Sequence, residues 1–115
     1  MRRGDIHLVD LDPTRGSEAN KTRPAVIVSN DAANLVAQRT GRGTVTVVPI
    51  TSNTTRVFPF QVLLPATDCG LLAESKAQAE QIRTVATARV RRRLGRVPPV
   101  LLKAIDDALR VHLGL

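Results

Sequence analysis

Asp5-Ile6-His7-Leu8-Val9-Asp10-Leu11 decides the fold class of this chain, because apolar and polar side chains alternate along it with the period of two that a strand requires. The pleat sends successive side chains to opposite faces, so the segment reads as a strand with one face turned to a core. Working outward, Ala25-Val26-Ile27-Val28-Ser29 and Thr44 to Ile50 are short β-branched runs of the kind that fills a barrel or sandwich. Gln61-Val62-Leu63-Leu64 and Ala79-Glu80-Gln81-Ile82-Arg83-Thr84-Val85 read as further strands, and Val90 to Val97 as a weaker one. The period changes at the end of the chain. Pro98 and Pro99 suit a first helical turn, and Leu102, Ile105, Leu109 and Leu113 follow at spacings of three and four, giving an amphipathic helix that ends near Gly114. A short helix is expected near Asp31 to Val36, and Gly41-Arg42-Gly43 reads as a hairpin turn. The expected fold is mainly β with α: a small antiparallel barrel or strongly bent sheet carrying one C-terminal helix.

The polar stretch Asp12-Pro13-Thr14-Arg15-Gly16-Ser17-Glu18-Ala19-Asn20-Lys21-Thr22 holds almost nothing to bury, so it is expected to be a long exposed loop, mobile between Pro13 and Thr22 without a ligand. With 115 residues, and neither a repeat nor a linker, the chain is expected to form one domain over 1–115. The start is basic but leads into an alternating segment, and no run approaches the ~20 apolar residues of a membrane helix, so a cytoplasmic location without membrane contact is expected. Cys69 stands alone, which excludes an internal disulfide and a cysteine-based zinc cage; a small buried hydrophobe is its plain reading.

The net charge of +7 points to a polyanionic or acidic partner, and its placement says more than its total. Residues 1–31 balance five acids against five bases, whereas residues 83–96 carry six arginines and no acid. The fourteen arginines outnumber three lysines, which fits phosphate recognition through the bidentate guanidinium and fits a compositional bias equally well. The part from Arg89 to Arg96 reads either as an RNA-guiding stripe or as a charged edge that deters aggregation, the second being preferred.

Metal chemistry is not expected, because the acids are scattered and no spaced His/Cys or His/Glu pattern occurs; Asp10 and Asp12 read as a solvated pair beside a turn. Gly41-Arg42-Gly43 lacks the lysine and hydroxyl residue of a phosphate-binding loop. His7 and His112 could act as base and acid only if the terminal helix met the first strand, and each has a plain reading as a packed or half-exposed histidine. The chain has no Trp or Tyr, and its two Phe lie in Phe58-Pro59-Phe60, so any RNA would be held by hydrogen bonds and arginine rather than on a broad aromatic platform. One constellation stands out. Arg23, before Pro24, begins one buried strand, and Thr51 ends the next strong one in Val48-Pro49-Ile50-Thr51-Ser52. In an antiparallel pair those two ends lie side by side beneath the loop carrying Ser17 and Glu18. An arginine there can stabilise the added charge of a pentacoordinate phosphate and a threonine hydroxyl can donate to the same oxygens. On pattern alone, both residues also read as ordinary surface and strand-end positions.

These residues carry a resemblance. Arg3-Gly4-Asp5-Ile6, Val9-Asp10-Leu11-Asp12-Pro13, Gly16-Ser17-Glu18, Arg23-Pro24-Ala25-Val26, Val48-Pro49-Ile50-Thr51, Phe58-Pro59-Phe60 and Glu80-Gln81-Ile82-Arg83, in this order and spacing, resemble the MazF/PemK-type toxin family over almost the whole chain. The resemblance implies an SH3-like barrel, a homodimer, a cognate antitoxin, and cofactor-free, metal-independent cleavage of single-stranded RNA to a 2′,3′-cyclic phosphate and a 5′-hydroxyl. It implies that Arg23 and Thr51 are the catalytic pair with Glu18 as a third member, and that Ser17, Gln81 and Arg83 bind substrate. Arginine is a poor base, so Glu18 is the more natural acceptor of the proton and Arg23 the electrostatic stabiliser or acid. The chain departs from the family's habit in lacking a glycine just before Arg23-Pro24 and in having His7 where an aromatic is common. The alternative is a toxin of the same fold that binds DNA gyrase without cutting RNA, with its determinants on the terminal helix.

Overall fold

The computed structural model describes residues 1–11, Gly16 and residues 21–115. Along these run β1 (Asp5–Asp10), β2 (Thr22–Ile27), α1 (Asp31–Thr40), β3 (Thr44–Thr51), β4 (Gln61–Leu64), α2 (Ala66–Cys69), β5 (Ser75–Gln78), β6 (Arg83–Ala86), β7 (Val90–Arg96) and α3 (Pro99–Leu113). The strands pair antiparallel in the order β4-β5-β3-β2-β1-β7, and β6 joins β3 off that path. The mainly β architecture with a packed C-terminal helix is the one expected. It takes the form of a sheet left open between β4 and β7 rather than a closed barrel.

β3 organises the sheet. One edge pairs with β2 at Ala25–Pro49, Val26–Val48 and Ile27–Val47. The other edge is divided: β6 takes Thr44 to Val47, and β5 takes Ile50 and Thr51. Pro49, which has no N–H to give a ladder, falls in the interval where the divided edge has no strand partner.

Both faces of the central strands are buried, which explains why β2 and β3 read as continuous β-branched runs rather than as alternating ones. On the first face Ile6, Val26, Val28, Val48, Ile50, Leu64, Ala77 and Ile105 form a core. On the second, Val9, Leu11, Ala25, Ile27, Val45, Val47 and Val85 pack with Ala37 of α1. α3 closes the first face, where Ile105 and Ala108 are buried and Leu102 and Leu109 pack against the core. The expected stripe is thus right for three of its four members; Leu113 is 51% exposed.

Three local readings are corrected. The segment read as a strand over Ala79–Val85 is a 3₁₀ turn (Ala79–Gln81) followed by β6, and the strand N-terminal to it, Ser75–Gln78, has too few apolar residues to show a period. The short helix runs on to Thr40, opened by Asn30, whose side chain accepts the Ala33 N–H at 2.8 Å. Gly41 is therefore the left-handed cap of that helix, at φ 63°, and not part of a hairpin turn.

The β7 edge is fastened to β1 by charge and by close packing. Asp5 is buried and accepts the Arg2 N–H at 2.9 Å and Arg96 Nη1 at 2.8 Å, with Arg93 Nε at 3.4 Å. Burial alone would raise its pKa, but the Arg2 amide and the Arg96 and Arg93 guanidinium groups outweigh it and hold the carboxyl below its ordinary value. Beside this cluster Gly95 crosses α2 so closely that an added Cβ would sit 2.0 Å from the Cys69 carbonyl oxygen. Cys69 is buried there, as expected of it, and burial followed by Asp68 raises its thiol pKa.

Candidate active site

Alternation fixes which residues share the second face near the ends of β2 and β3. The β2–β3 register, carried two residues past Ala25–Pro49, sets Arg23 across from Thr51. On its other side Arg23 pairs with Val9 of β1, and Thr51 pairs with Lys76 of β5, which in turn pairs with Leu63 of β4. The result is one cross-strand row, Val9–Arg23–Thr51–Lys76–Leu63, with neighbouring backbones about 4.8 Å apart. Arg23 is half-buried in that row. The Thr51 hydroxyl oxygen accepts the Asn53 N–H at 3.3 Å, which leaves its own proton for an oxygen of a ligand.

Arg83 stands two rows away on the same face, paired with Val47. Its guanidinium reaches the Leu11 carbonyl at 3.4 Å, Arg89 reaches the Asp10 carbonyl at 3.3 Å, and the Leu11 N–H donates to the Lys21 carbonyl at 3.0 Å. These bonds tie the base of the segment between β1 and β2, so Arg83 has a scaffolding task beside any contact with substrate. Gln81 sits in the 3₁₀ turn between β5 and β6. Ser17 and Glu18 lie outside the described residues, as does most of the loop expected to be mobile.

Six residues near this row were given no role from sequence. Lys76 is buried on β5, and its Nζ donates to the Arg56 carbonyl at 2.5 Å and lies 6.0 Å from the centre of the Phe58 ring. Phe58 and Phe60 stack on each other with centroids 5.3 Å apart, and the Arg56 guanidinium lies 4.6 Å over Phe58. Gln61 accepts the Phe58 N–H at 3.1 Å and donates to Glu80 Oε2 at 2.7 Å. Glu80 Oε1 is buried without a hydrogen-bond partner among the described residues. The loop from Ser52 to Phe60 is thus held to β4 and β5 by Lys76 and by the Gln61–Glu80 pair. Glu80 was visible only as part of a longer match, and a lone lysine in Ser75-Lys76-Ala77-Gln78 carries no signal.

The histidine pair does not form. His7 faces Ala25 and Val9 on the second face, where its Nδ1 meets the Arg91 carbonyl at 2.8 Å, whereas His112 is exposed at the end of α3, which covers the first face. The Arg89–Arg96 stripe is largely engaged: Arg93 and Arg96 with Asp5, Arg91 with Asp10 at 4.0 Å, and Arg89 with the Asp10 carbonyl. A groove of about 420 Å³ lined by Leu8, Pro24, Leu71, Leu72, Arg92 and Leu94 opens on the first face, away from Arg23 and Thr51. Its nearly apolar wall offers little to a phosphodiester.

A family model described as "PemK-like, MazF-like toxin of type II toxin-antitoxin system" matches residues 2–113. The chain belongs to this family. It is 62% identical over 115 residues to "Endoribonuclease MazF9" of Mycobacterium tuberculosis, covering all of this MazF-type toxin and 98% of that protein. Among solved structures it resembles a mycobacterial "Endoribonuclease in complex with its cognate antitoxin" at TM-score 0.78 and 28% identity, over 100% of this chain and 96% of that one. It also resembles MazF of Deinococcus radiodurans at TM-score 0.79 and 25% identity, covering 100% and 97%.

Proposed function

We propose that this toxin cuts single-stranded RNA by using the RNA's own 2′-hydroxyl as the nucleophile. By family and by its identity to a curated endoribonuclease, the chain is an endoribonuclease of a type II toxin-antitoxin pair. The observation that carries the chemical reading is the juxtaposition of Arg23 and Thr51 on neighbouring strands of one face. The 2′-oxygen attacks the adjacent phosphorus and the bond to the 5′-oxygen breaks, leaving a 2′,3′-cyclic phosphate and a 5′-hydroxyl. The nucleophile is already attached to the reacting centre, so orientation supplies much of the acceleration, and RNA is required over DNA. Arg23 and Thr51 stabilise the charge that grows on the phosphoryl oxygens. Glu18 takes the 2′ proton, the departing 5′-oxygen takes one from Arg23 or from water, and Ser17, Gln81 and Arg83 hold the flanking nucleotides. No metal or cofactor enters the scheme.

The assembly we propose is a homodimer of one MazF/PemK-like domain over 1–115, acting in the cytoplasm and silenced by a cognate antitoxin. A relative is solved with its antitoxin, and no helix among the described residues is long and apolar enough to cross a membrane.

The test is incubation of the purified protein with mixed-sequence RNA in excess EDTA, with the ends mapped by sequencing. Discrete cuts with cyclic phosphate ends, lost in Arg23→Ala, are expected. Intact RNA across a broad pool, with growth arrest retained by Arg23→Ala, would sink the nuclease mechanism and favour a gyrase-type binder acting through α3.

A further inference from the structure

Lys76 poses an electrostatic question that the reaction scheme above leaves unanswered. It is 8% exposed, yet among the described residues it has no carboxylate partner; its ammonium meets one carbonyl oxygen, that of Arg56, and the face of Phe58. An ammonium removed from water costs several kcal/mol unless it is paired, and one carbonyl with a distant ring satisfies only part of that demand, because the group carries three donors. Chains rarely keep such a placement when a methionine or leucine would fill the same space. The position is also specific. Lys76 is the direct cross-strand neighbour of Thr51, on the opposite side from Arg23, so two cations flank one hydroxyl on three successive strands.

We propose that Lys76 is a phosphate-binding residue whose counter-ion is the substrate itself, a phosphodiester of the RNA lying along the Arg23–Thr51–Lys76 row. This rests on the nuclease reading and extends it. An anion arriving at Thr51 meets a positive potential that is already desolvated on the Lys76 side, where a charge acts more strongly than it does in open solvent. The Arg56 carbonyl holds the ammonium in place before the anion comes. The two remaining N–H donors of Nζ are then available to phosphate oxygens, directly or through one water. Arg23 and Lys76 would thereby divide the labour. The planar fork grips the reacting phosphate, and the compact ammonium draws the strand to the Thr51 end of the sheet.

The experiment measures binding of an uncleavable RNA, carrying a 2′-deoxy sugar at the mapped cut, to wild type, Lys76→Gln and Lys76→Arg over a range of salt concentrations. Removal of one phosphate contact lowers the slope of log K against log salt by about 0.7 for a single strand. Lys76→Gln, which can still donate to the Arg56 carbonyl, is expected to lose that increment and to bind about tenfold more weakly at low salt. Lys76→Arg is expected to keep the wild-type slope. If Lys76→Gln proves poorly folded by its thermal melt, Lys76→Met gives the same reading, since it fills the volume without charge. A wild-type slope in the neutral variant, whatever its affinity, would make Lys76 a structural prop for the 52–60 loop and overturn the proposal. Wild type leaving the all-ribose RNA uncut would instead bring down the nuclease reading, and this assignment with it.

Discussion

The chain carries two collections of cations that differ in where their counter-charges come from. Along the β7 edge, Arg93 and Arg96 converge on Asp5, and Arg91 and Arg89 reach Asp10 by its carboxylate and its carbonyl, so the fold supplies the partners from β1. In the row at the ends of β2, β3 and β5, Lys76 meets no carboxylate among the described residues. Charge balanced within the fold serves mainly to hold strands together. Charge left unbalanced in a buried place is set for an external anion. The segment richest in arginine is therefore the scaffold, and the poorer one is where we propose the site.

The largest effect should come from the row. Arg23→Ala is expected to lower RNA cleavage by about 10²- to 10³-fold, as removal of one transition-state donor does elsewhere, while the melting temperature stays near that of wild type. A loss of stability matching the loss of rate would erase the distinction between the two collections. At the edge the order should reverse. Gly95→Ala drives a Cβ into the Cys69 carbonyl, backbone against backbone, and is expected to cost about 3 kcal/mol in a denaturant titration. Asp5→Ala removes the acceptor of the Arg2 N–H and of Arg96 and should destabilise by about 1–3 kcal/mol.

Asp5 also gives the comparison a pH signature. Its folded pKa lies below the unfolded value, so its stabilisation is complete above about pH 4 and is lost as the pH falls through the folded pKa. Unfolding free energies measured from pH 6 down to 2 should therefore fall less steeply in Asp5→Asn than in wild type; equal acid limbs would show that the edge does not depend on this charge. The smallest effect is expected of Arg91→Gln. Its ion pair to Asp10 spans 4.0 Å with the arginine mostly exposed, and such pairs contribute about 0–1 kcal/mol. Cleavage by this variant should stay within about twofold of wild type if the stripe is scaffold, and a larger fall would restore it as an RNA guide.

How far the sequence disclosed these features follows from the length scale of each. β1 and α3 were legible because a period of 2 or 3.6 runs through enough residues to be seen, and β3 because its β-branched run is long. β5 was not: Lys76 and Gln78 face the site and Ala77 is small, so neither face of its four residues looks apolar. Gly41 misled because a glycine with positive φ serves a helix cap as readily as a turn, and only the length of α1 separates the two. Arg23 and Thr51 could be paired in advance because antiparallel strands bring their opposite ends together. Lys76 could not, since its significance depends on burial and on meeting no carboxylate among the described residues.

The divided edge of β3 has a consequence for how this chain can change length. β5 and β6 are cut from one continuous segment, and residues 79–82 are the splice between them, setting the phase of one half-edge against the other. One residue added there, with β6 kept in register, would turn β5 over. Lys76 would be driven into the apolar layer beneath α3, and Ala77 would surface beside Thr51. The same insertion between residues 52 and 60 would only lengthen a loop. The splice is thus a fixed gauge, and length variation belongs in the loops on either side of it.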